Sequence, residues 1–590
     1  MHLSHDPSIY TQAIGSEVAQ ARRDHTELAE CMSWRYRFTF LILVAAFSII
    51  VVRLFYWQII KRDELSALAL SQYSGVIKLL PQRGQIKTSD NFPIASNRVS
   101  YLIFANPKNI KDKKKIANTL SLHLKSHISS ISSLLSLDRF WVLIKSGVDT
   151  KTKDTISKLG LQGIGFEQQF NRFYPEASLS AQLLGFVGKD ESGVDKGYFG
   201  LEGYYDRLLR GKEEYIVEIQ DALGRPILSK MTKRSKRVDG SSLKLSVERS
   251  IQFLVEQKLK KGIEKYGASS GMVGVMNPRT GHVIAMAAFP SFSPDSYQDY
   301  NEDVYKNPFI SNTFEPGSSL KPLVMSGALD ASVVTPQTQC NICGGPITIG
   351  GYELHTWNDK YFKDTNMIDV IRRSDNTGMV FVAQKLGADR MISYLTKFGI
   401  GQLTDIDLQG EVAPSLKPKK EWYSVDLATA GFGQGISLTP IELLDAFAAI
   451  ANKGKRMQLL VVASVERSDG KIIKITPKVL SQPISEKTAK LMTEILVNAV
   501  NKGEAQWTRL KGYRIAGKTG TASIPVAGHY DPEKTIASFI GFAPADDPKF
   551  AMLVILDKPT TSIYASETAA PLFFDIAKDL LLYYGIPPSE

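Results

Sequence analysis

The chain has 590 residues, of which 43% are hydrophobic and 22% are charged. This composition is ordinary for a globular protein and leaves room for two or three domains. The formal net charge of +11 would suit nucleic acid, an anionic membrane surface or an acidic polymer. Because the lysines and arginines are scattered and no basic run is interleaved with aromatic residues, nucleic-acid binding is not expected.

The first predicted element is an apolar segment near the N-terminus, residues 38–60, in which Arg53 is the single charged residue. The segment is long enough to cross a bilayer, since a spanning helix needs roughly 20 residues. A buried core helix and a cleaved signal peptide are the alternatives. The polar tail before the segment is long for a signal peptide. Residues 67–69, Ala-Leu-Ala, resemble a cleavage site, but the charged residues 61–64 separate them from the apolar segment. We therefore expect an uncleaved membrane anchor.

The basic residues on either side of this segment favour a cytoplasmic N-terminus, because such residues are enriched on the cytoplasmic side of membrane helices. Four precede the segment and three follow it, namely Arg22, Arg23, Arg35 and Arg37 against Lys61, Arg62 and Lys78. We expect a single-pass protein with residues 1–37 as a cytoplasmic tail, residues 38–60 as the membrane helix and the rest of the chain outside the cytoplasm.

The three cysteines are Cys31, Cys340 and Cys343, and the last two form a lone CxxC. A structural zinc site needs four ligands, and the sequence has no second CxxC pair, so no metal is expected. Two readings of the pair stay open, a local disulfide formed in an oxidising compartment and two ordinary thiols.

The pattern of the chain changes near residue 243. Residues 61–240 mix short apolar runs with glycines and contain no catalytic pattern. Residues 250–266 have the apolar spacing of a helix, and residues 271–288 have that of a β-hairpin. A long, mostly helical region follows.

The C-terminal part of the chain returns to strands. Thr439, Pro440 and Glu442 first form a capping-box pattern at a helix start. Apolar strand patterns then appear in YRIAGKTGTAS, TIASFIGFAP and KFAMLVILDKP, and a last helix is predicted from Pro571 to Gly585. This order of elements predicts an α+β fold in which an antiparallel sheet is sandwiched by helices.

The tetrapeptide SSLK occurs at residues 241–244 and again at residues 318–321, and each copy places a hydroxyl three residues before an amine. The first copy has the alternation of a strand, in which positions three apart face opposite sides of the sheet. Ser241 and Lys244 are therefore not expected to share a proton.

The second SSLK copy has the pattern of a helix start. Pro316 and Gly317 form a turn, apolar residues at helical spacing follow, and Pro322 is tolerated only in the first turn of a helix. Residues three apart are neighbours on a helix, so Lys321 would lie within reach of the Ser318 hydroxyl.

Two later motifs extend this pattern, SDN at residues 374–376 and KTG at residues 518–520. Alone, SDN would be interpreted as a helix cap or a turn, and KTG as an ordinary strand end. SDN lies between two helical patterns and KTG lies on a predicted strand. An S-x-x-K motif followed by S-D-N and K-T-G is the signature of penicillin-binding proteins and class A β-lactamases.

With these motifs the chain resembles the class B penicillin-binding proteins, which are monofunctional peptidoglycan D,D-transpeptidases, and most closely the division-specific FtsI type. The likeness covers most of residues 80–590 and includes RGQI, GLEGYYDRLLRG, FEPGSSLKP, GFGQGISLTP and GFAPADDPKFAMLVIL. Phe92, where the family often has glycine, and the CxxC pair depart from the pattern. The resemblance implies a pedestal domain at residues 61–245, of the dimerisation type, and a transpeptidase domain at residues 246–590.

The resemblance also implies catalytic roles for the first two motifs. Ser318 is expected to be the nucleophile, and Lys321 the base that takes its proton. The base must be neutral, and burial together with the positive charge of Lys518 should lower its pKa. Ser374 is expected to pass the proton to the leaving amine, and Asn376 to orient Lys321 and the substrate amide.

The third motif is expected to bind substrate. Lys518, Thr519 and Thr521 would hold the terminal carboxylate of a D-alanyl-D-alanine stem peptide, and the backbone of Gly520 would let the substrate lie against the strand. The backbone N–H groups of Ser318 and Thr521 would form the oxyanion hole. D-Alanine would leave, a second stem peptide would take the acyl group, and hydrolysis would give the carboxypeptidase reaction. β-Lactams would mimic the donor and be trapped on the serine.

The family implies further expectations, none of which includes a cofactor. The expected location is the inner (plasma) membrane with a periplasmic catalytic domain, and the expected partners are a membrane glycosyltransferase and other divisome proteins. The alternatives are an elongation-specific transpeptidase, a membrane-anchored β-lactamase and a non-catalytic β-lactam sensor or scaffold. The β-lactamase would need a second base, for which Glu411 is the candidate by position.

Overall fold

The structure is a computed structural model that describes residues 34–79, 81–212, 214–219, 238–526 and 529–588. Most of the predicted cytoplasmic tail, including Arg22, Arg23 and Cys31, lies outside these residues. The chain divides into two compact units. One comprises Met1–Leu79 and Glu213–Lys236, and the other comprises Leu80–Lys212 and Arg237–Glu590.

The first unit contains a helix over Trp34–Ile60 that is, by length and composition, apolar enough to cross a membrane. It begins four residues before the predicted segment, and its most apolar part is fully exposed, which argues against a core helix. A second helix, Arg62–Tyr73, leads into the strand Ser74–Leu79, which pairs antiparallel with Glu214–Ile219. The long helix fits a single-pass membrane anchor placed before a C-terminal catalytic region.

The N-terminal part of the second unit is built on a seven-stranded sheet. Its longest strand, Pro93–Ala105, pairs on its two edges with other strands of this region. At the far end of the sheet, Ser242–Leu245 pairs with Val462–Glu466, so residues from both halves of the sequence share one sheet. The remaining strands are Ile86–Lys87, Val142–Val148, Ile164–Phe173 and Ile472–Lys474, and the helices longer than one turn are Lys113–Leu124, Ile128–Ser136, Thr150–Lys158, Gly200–Tyr204 and Asp206–Arg210.

A buried ion-pair cluster ties together the RGQI and GLEGYYDRLLRG stretches. Arg83 donates to Glu202 Oε2 at 2.7 Å and to Asp206 Oδ1 at 2.8 Å, and Arg172 donates to the other oxygen of Glu202 at 2.6 Å. Glu202 is fully buried. Two arginines on one carboxylate compensate the desolvation of that charge, so the cluster links the two stretches.

The C-terminal part of the second unit has a five-stranded antiparallel sheet. Its strands are β1 (Ser270–Met276), β2 (Val283–Phe289), β3 (Ala516–Val526), β4 (His529–Ala543) and β5 (Phe550–Asp557). Their spatial order is β2-β1-β5-β4-β3, so β3, which contains the KTG motif, is an edge strand. Strands β1 and β2 form the predicted hairpin.

Helices cover both faces of this sheet. Their bounds are α1 (Arg249–Tyr266), α2 (Lys321–Asp330), α3 (Met367–Arg372), α4 (Asn376–Leu386), α5 (Ala388–Lys397), α6 (Ser424–Ala430), α7 (Pro440–Ala451), α8 (Glu486–Lys502) and α9 (Ala569–Tyr583). Val554 and Leu556 of β5 pack with α1 and α9, whereas Leu553 and Ile555 pack with the central helical block. The predicted α+β sandwich is confirmed.

Local sequence signals account for the helix ends. The Thr439 side chain accepts from the backbone N–H of Glu442, whose carboxylate accepts from the backbone N–H of Thr439 at 2.7 Å, so the predicted capping box is present. Helix α9 begins at Ala569, two residues before the predicted start at Pro571. Buried Cys340 and Cys343 form a disulfide, one of the two possibilities that the sequence left open.

Candidate active site

The second SSLK copy begins helix α2, as predicted. A single 3₁₀ turn, Gly317–Ser319, precedes α2 and presents Ser318, while Lys321 occupies the first position of the α-helix. Gly317 has a φ of +53° and donates its N–H to the carbonyl of Gly433 at 3.0 Å. A Cβ on Gly433 would lie 2.0 Å from the carbonyl oxygen of Gly317, so the GFGQG segment packs directly on the turn that carries Ser318.

The SDN motif forms the junction between helices α3 and α4. Asp375 is the N-cap of α4, and its side chain accepts from the N–H of Gly378 at 3.1 Å. Ser374, the last residue before the cap, has a φ of +56°, a conformation that is uncommon for a residue with a side chain. In this conformation both its carbonyl and its hydroxyl face the same lysine.

One hydrogen-bonded network contains all four predicted catalytic residues. The hydroxyls of Ser374 and Ser318 are hydrogen-bonded, with 2.9 Å between the two Oγ atoms. Lys321 Nζ contacts three oxygens, the carbonyl of Ser374 at 2.7 Å, its hydroxyl at 3.3 Å and Asn376 Oδ1 at 2.8 Å. Lys321 therefore reaches the Ser318 hydroxyl through Ser374. Asn376 is held in turn by a bond from its Nδ2 to the carbonyl of His355 at 2.9 Å.

The KTG motif lies on edge strand β3, beside this network. Lys518 is buried, and its Nζ donates to the carbonyl of Thr519 at 3.1 Å and to the Thr519 hydroxyl at 2.9 Å. The Thr519 hydroxyl donates to Glu504 Oε2 at 2.9 Å. Thr521 Oγ1 accepts from the N–H of Ala565 at 3.0 Å.

The structure shows a further steric reason for a glycine at position 520, beside the predicted contact with substrate. A Cβ at this position would lie 2.1 Å from Ser319 Oγ and 2.4 Å from Ser538 Oγ. The missing side chain thus lets β3 approach the segment that carries Ser318, whereas the sequence suggested only a need for close contact with substrate.

Residues 271–578 match the penicillin binding protein transpeptidase domain, and residues 78–245 match the penicillin-binding protein dimerisation domain. The chain belongs to the penicillin-binding protein transpeptidase family. It is a class B member, a peptidoglycan D,D-transpeptidase with acyl-transfer chemistry, and the predicted family is confirmed.

Two relatives match this chain over most of the length of both proteins. Stage V sporulation protein D of Bacillus subtilis is 31% identical over 564 residues, which cover 94% of this chain and 86% of the relative. Peptidoglycan D,D-transpeptidase FtsI of Escherichia coli is 28% identical over 581 residues, which cover 97% of this chain and 95% of the relative.

Solved structures of family members have the same fold. A peptidoglycan synthetase from Bifidobacterium adolescentis superposes with a TM-score of 0.71 at 26% identity, covering 88% of this chain and 98% of the other. Penicillin binding protein 3 of Mycobacterium tuberculosis, complexed with aztreonam, superposes with a TM-score of 0.68 at 25% identity, covering 87% and 98%.

Burial lowers the pKa of the two lysines in the site of this transpeptidase. It lowers the pKa of Lys321 from 10.5 to about 7, with a further lowering by the positive charge of Lys518, against smaller opposing effects of Glu504 and Asp375. Burial also lowers the pKa of Lys518, and the negative charge of Glu504 opposes that effect. An amine with a pKa near 7 can accept a proton at neutral pH, which an ordinary lysine cannot do.

Three groups in the site were not predicted from the sequence, namely the His355 carbonyl, Ser538 and Glu504. The carbonyl belongs to a loop with no motif, Ser538 lies on the neighbouring strand, and Glu504 lies just after the C-terminus of α8. Only three-dimensional proximity reveals them. Glu411, the candidate second base of a β-lactamase, accepts from the N–H and hydroxyl of Thr404, away from the serine network.

We expect the rate constant for acylation by a penicillin to rise as the pH increases from about 6 to about 8, since Lys321 must lose its proton before it can act as a base. The measurement is stopped-flow fluorescence with a labelled penicillin on the detergent-solubilised full-length protein. A rate that stays flat below about pH 9 and rises only above it would show that Lys321 keeps an ordinary pKa.

Proposed function

We propose that Ser318 is the acylated nucleophile and that Lys321 activates it through Ser374. The observation that carries this proposal is the continuous hydrogen-bonded path from Ser318 Oγ to Ser374 Oγ to the buried Lys321 amine. A serine hydroxyl is a weak nucleophile until a base removes its proton, and the path supplies such a base.

The donors and acceptors around Lys321 support one direction of proton transfer. A neutral amine has two N–H groups and one lone pair. The Ser374 carbonyl and Asn376 Oδ1 can only accept, so they take the two N–H groups, and the lone pair is left for the Ser374 hydroxyl. The proton of Ser318 then moves to Ser374 Oγ while the Ser374 proton moves to Lys321 Nζ.

The proposed reaction has two half-reactions. Ser318 Oγ attacks the carbonyl carbon of the penultimate D-alanine, the peptide C–N bond breaks, and the terminal D-alanine leaves with a proton returned by Lys321 through Ser374. The amine of a second stem peptide then attacks the ester and restores the Ser318 hydroxyl. Water in place of the amine would give the carboxypeptidase product.

The proposed substrate contacts lie on β3. Lys518, Thr519 and Thr521 bind the terminal carboxylate, and Gly520 gives the strand its close approach to the nucleophile. The backbone N–H groups of Ser318 and Thr521 stabilise the oxyanion. The location of β3 at the edge of the sheet supports this proposal, because an edge strand has one side free of strand partners on which an extended peptide can lie.

We also propose the domain organisation and location. Residues 1–37 form a cytoplasmic tail, 38–60 the membrane anchor, 61–245 the pedestal and 246–590 the transpeptidase domain on the periplasmic or extracytoplasmic side of the plasma membrane. The apolar helix and the basic residues around it support this orientation. Proposed partners are a membrane glycosyltransferase and other divisome proteins.

The proposed cellular process is septal wall synthesis. Near full-length similarity to the FtsI transpeptidase of E. coli supports it. The similarity to a sporulation protein supports a second candidate, wall synthesis during development.

Substitution of each SSLK serine tests the nucleophile with a control built into the chain. Ser318→Ala should abolish labelling by fluorescent penicillin, whereas Ser241→Ala should leave it unchanged, because Ser241 precedes a structural strand. Intact mass and peptide mapping of the wild-type adduct should locate the label on residue 318. Labelling of Ser318→Ala would contradict the assignment. Hydrolysis of the adduct within seconds would instead favour the β-lactamase alternative.

Localisation tests the cellular process. A fluorescent fusion expressed at native level should concentrate at the division site, and depletion of the protein should give filaments of undivided cells. Signal along the lateral wall with rounded cells after depletion would assign the protein to elongation instead. A defect confined to sporulation would assign it to development.

A further inference from the structure

The inference concerns Glu504, a residue outside the three motifs. Glu504 follows Gly503, which ends helix α8 with its N–H on the carbonyl of Ala499 at 3.0 Å. A Cβ on Gly503 would lie 2.3 Å from that carbonyl and 2.7 Å from the carbonyl oxygen of Arg372. The crowded turn therefore holds Glu504 between the end of α3 and strand β3.

Hydroxyl chemistry fixes the direction of the hydrogen bonds that join Glu504 to the site. Thr519 Oγ1 lies 2.9 Å from Lys518 Nζ and 2.9 Å from Glu504 Oε2. An ammonium can only donate and a carboxylate can only accept, so the hydroxyl must accept from Lys518 and give its single proton to Glu504. The chain runs from the Lys518 ammonium through the Thr519 hydroxyl to the Glu504 carboxylate.

Lys518 has little other compensation for its charge. Both hydrogen bonds recorded for its Nζ among the described residues go to Thr519, and the side chain is buried. A buried ammonium without a nearby carboxylate tends to lose its proton. Glu504 supplies the negative charge through a single intervening hydroxyl.

The second carboxylate oxygen of Glu504 takes no part in this hydrogen-bonded chain, which uses Oε2. Glu504 Oε1 is buried and has no hydrogen-bond partner among the described residues.

We propose that Glu504 is a positioning residue that acts through the Thr519 hydroxyl to orient the Lys518 ammonium and keep it charged for recognition of the substrate carboxylate. The inference rests on the proposed function, in which Lys518 binds that carboxylate. Glu504 itself does not contact substrate. Its negative charge opposes the effect of burial on the pKa of Lys518, and it acts in the same direction on Lys321.

Other charged groups around this chain do not take its place. Asp375 caps α4, Arg372 pairs with Asp369 at 2.6 Å, and Arg373 lies over the ring of Phe362. The charged groups that line the cavity of about 190 Å³ beside Glu504 are Lys360, Arg372, Arg373, Asp375 and Lys502, and Lys321 approaches from α2. The arginines do not titrate, and the lysines carry the wrong sign to replace a carboxylate.

The test compares the full-length wild type with Glu504→Gln, which keeps an acceptor for the Thr519 hydroxyl and removes the charge. The measured quantity is the acylation efficiency for benzylpenicillin and for its methyl ester, which lacks the carboxylate, from about pH 5 to 10. We expect the preference for the acid over the ester to fall about tenfold or more, by the size of a charge-assisted contact. The pH profile should rise as Lys321 loses its proton and fall at higher pH as Lys518 loses its proton. We expect both limbs to move to lower pH by about one unit in Glu504→Gln, since loss of a nearby negative charge lowers the pKa of both lysines.

Two further variants separate positioning from folding. Glu504→Asp keeps the charge and should restore part of the acid preference. Glu494→Gln removes a carboxylate on helix α8, which ends just before Glu504. Glu494 pairs with Arg514 at the surface, so this variant should leave the profile unchanged. Rates are normalised to the folded fraction measured by circular dichroism.

The outcomes are distinguishable from failure of the proposed function. If the wild type is not acylated at Ser318, the proposed function fails. If the wild type is acylated but Glu504→Gln keeps the wild-type acid preference and pH limbs, the role of Glu504 is overturned. A lower melting temperature with unmoved limbs also overturns it, because that result indicates a structural role alone.

Discussion

The buried amine of Lys321 is the group on which the rest of the site depends. A pKa of about 7 in place of 10.5 means that burial and the Lys518 charge disfavour the protonated form by roughly 5 kcal/mol. Three oxygens lie around the amine, two of them from Ser374. The unusual φ of Ser374 turns its carbonyl and hydroxyl towards the same nitrogen, and the α3–α4 junction with its Asp375 cap holds that conformation.

The scaffold brings three distant segments together around this amine. These segments are the start of α2, the α3–α4 junction and edge strand β3. Glycine permits two close approaches around the start of α2, that of Gly433 to the backbone of Gly317 and that of Gly520 on β3 to the side chain of Ser319. The sheet beneath them is buried on both faces. The N-terminal region adds a strand pairing to residues 462–466 and an internal ion-pair cluster around Glu202, so it forms a continuous structure with the catalytic region.

The sequence predicted the parts of the site that depend on local periodicity. The alternation of a strand distinguished the SSLK copy at residues 241–244 from the copy at residues 318–321. The structure has Ser242–Leu245 as a strand and Lys321 at a helix start. Pro322, the capping box and the hairpin likewise carried enough local signal to locate their elements.

The sequence could not predict contacts made only by tertiary packing. Nothing in its periodicity links Glu504 to Thr519, the His355 carbonyl to Asn376, or Gly520 to Ser319. Nor could it show that Lys321 reaches Ser318 through Ser374, since that geometry arises from the backbone conformation at one junction. The cysteine pair was undecided for a similar reason, because two residues at CxxC spacing can approach or diverge according to the turn between them.

The most direct measurement is a pH titration of Lys321 itself by carbon-13 NMR of the full-length protein labelled at the lysine ε-carbons, with Lys321→Met to assign the resonance. The account predicts one resonance that titrates with a midpoint near 7 and is absent from the variant. If every lysine titrates near its ordinary value of about 10.4, the amine is charged at neutral pH and the proposed activation of Ser318 is contradicted.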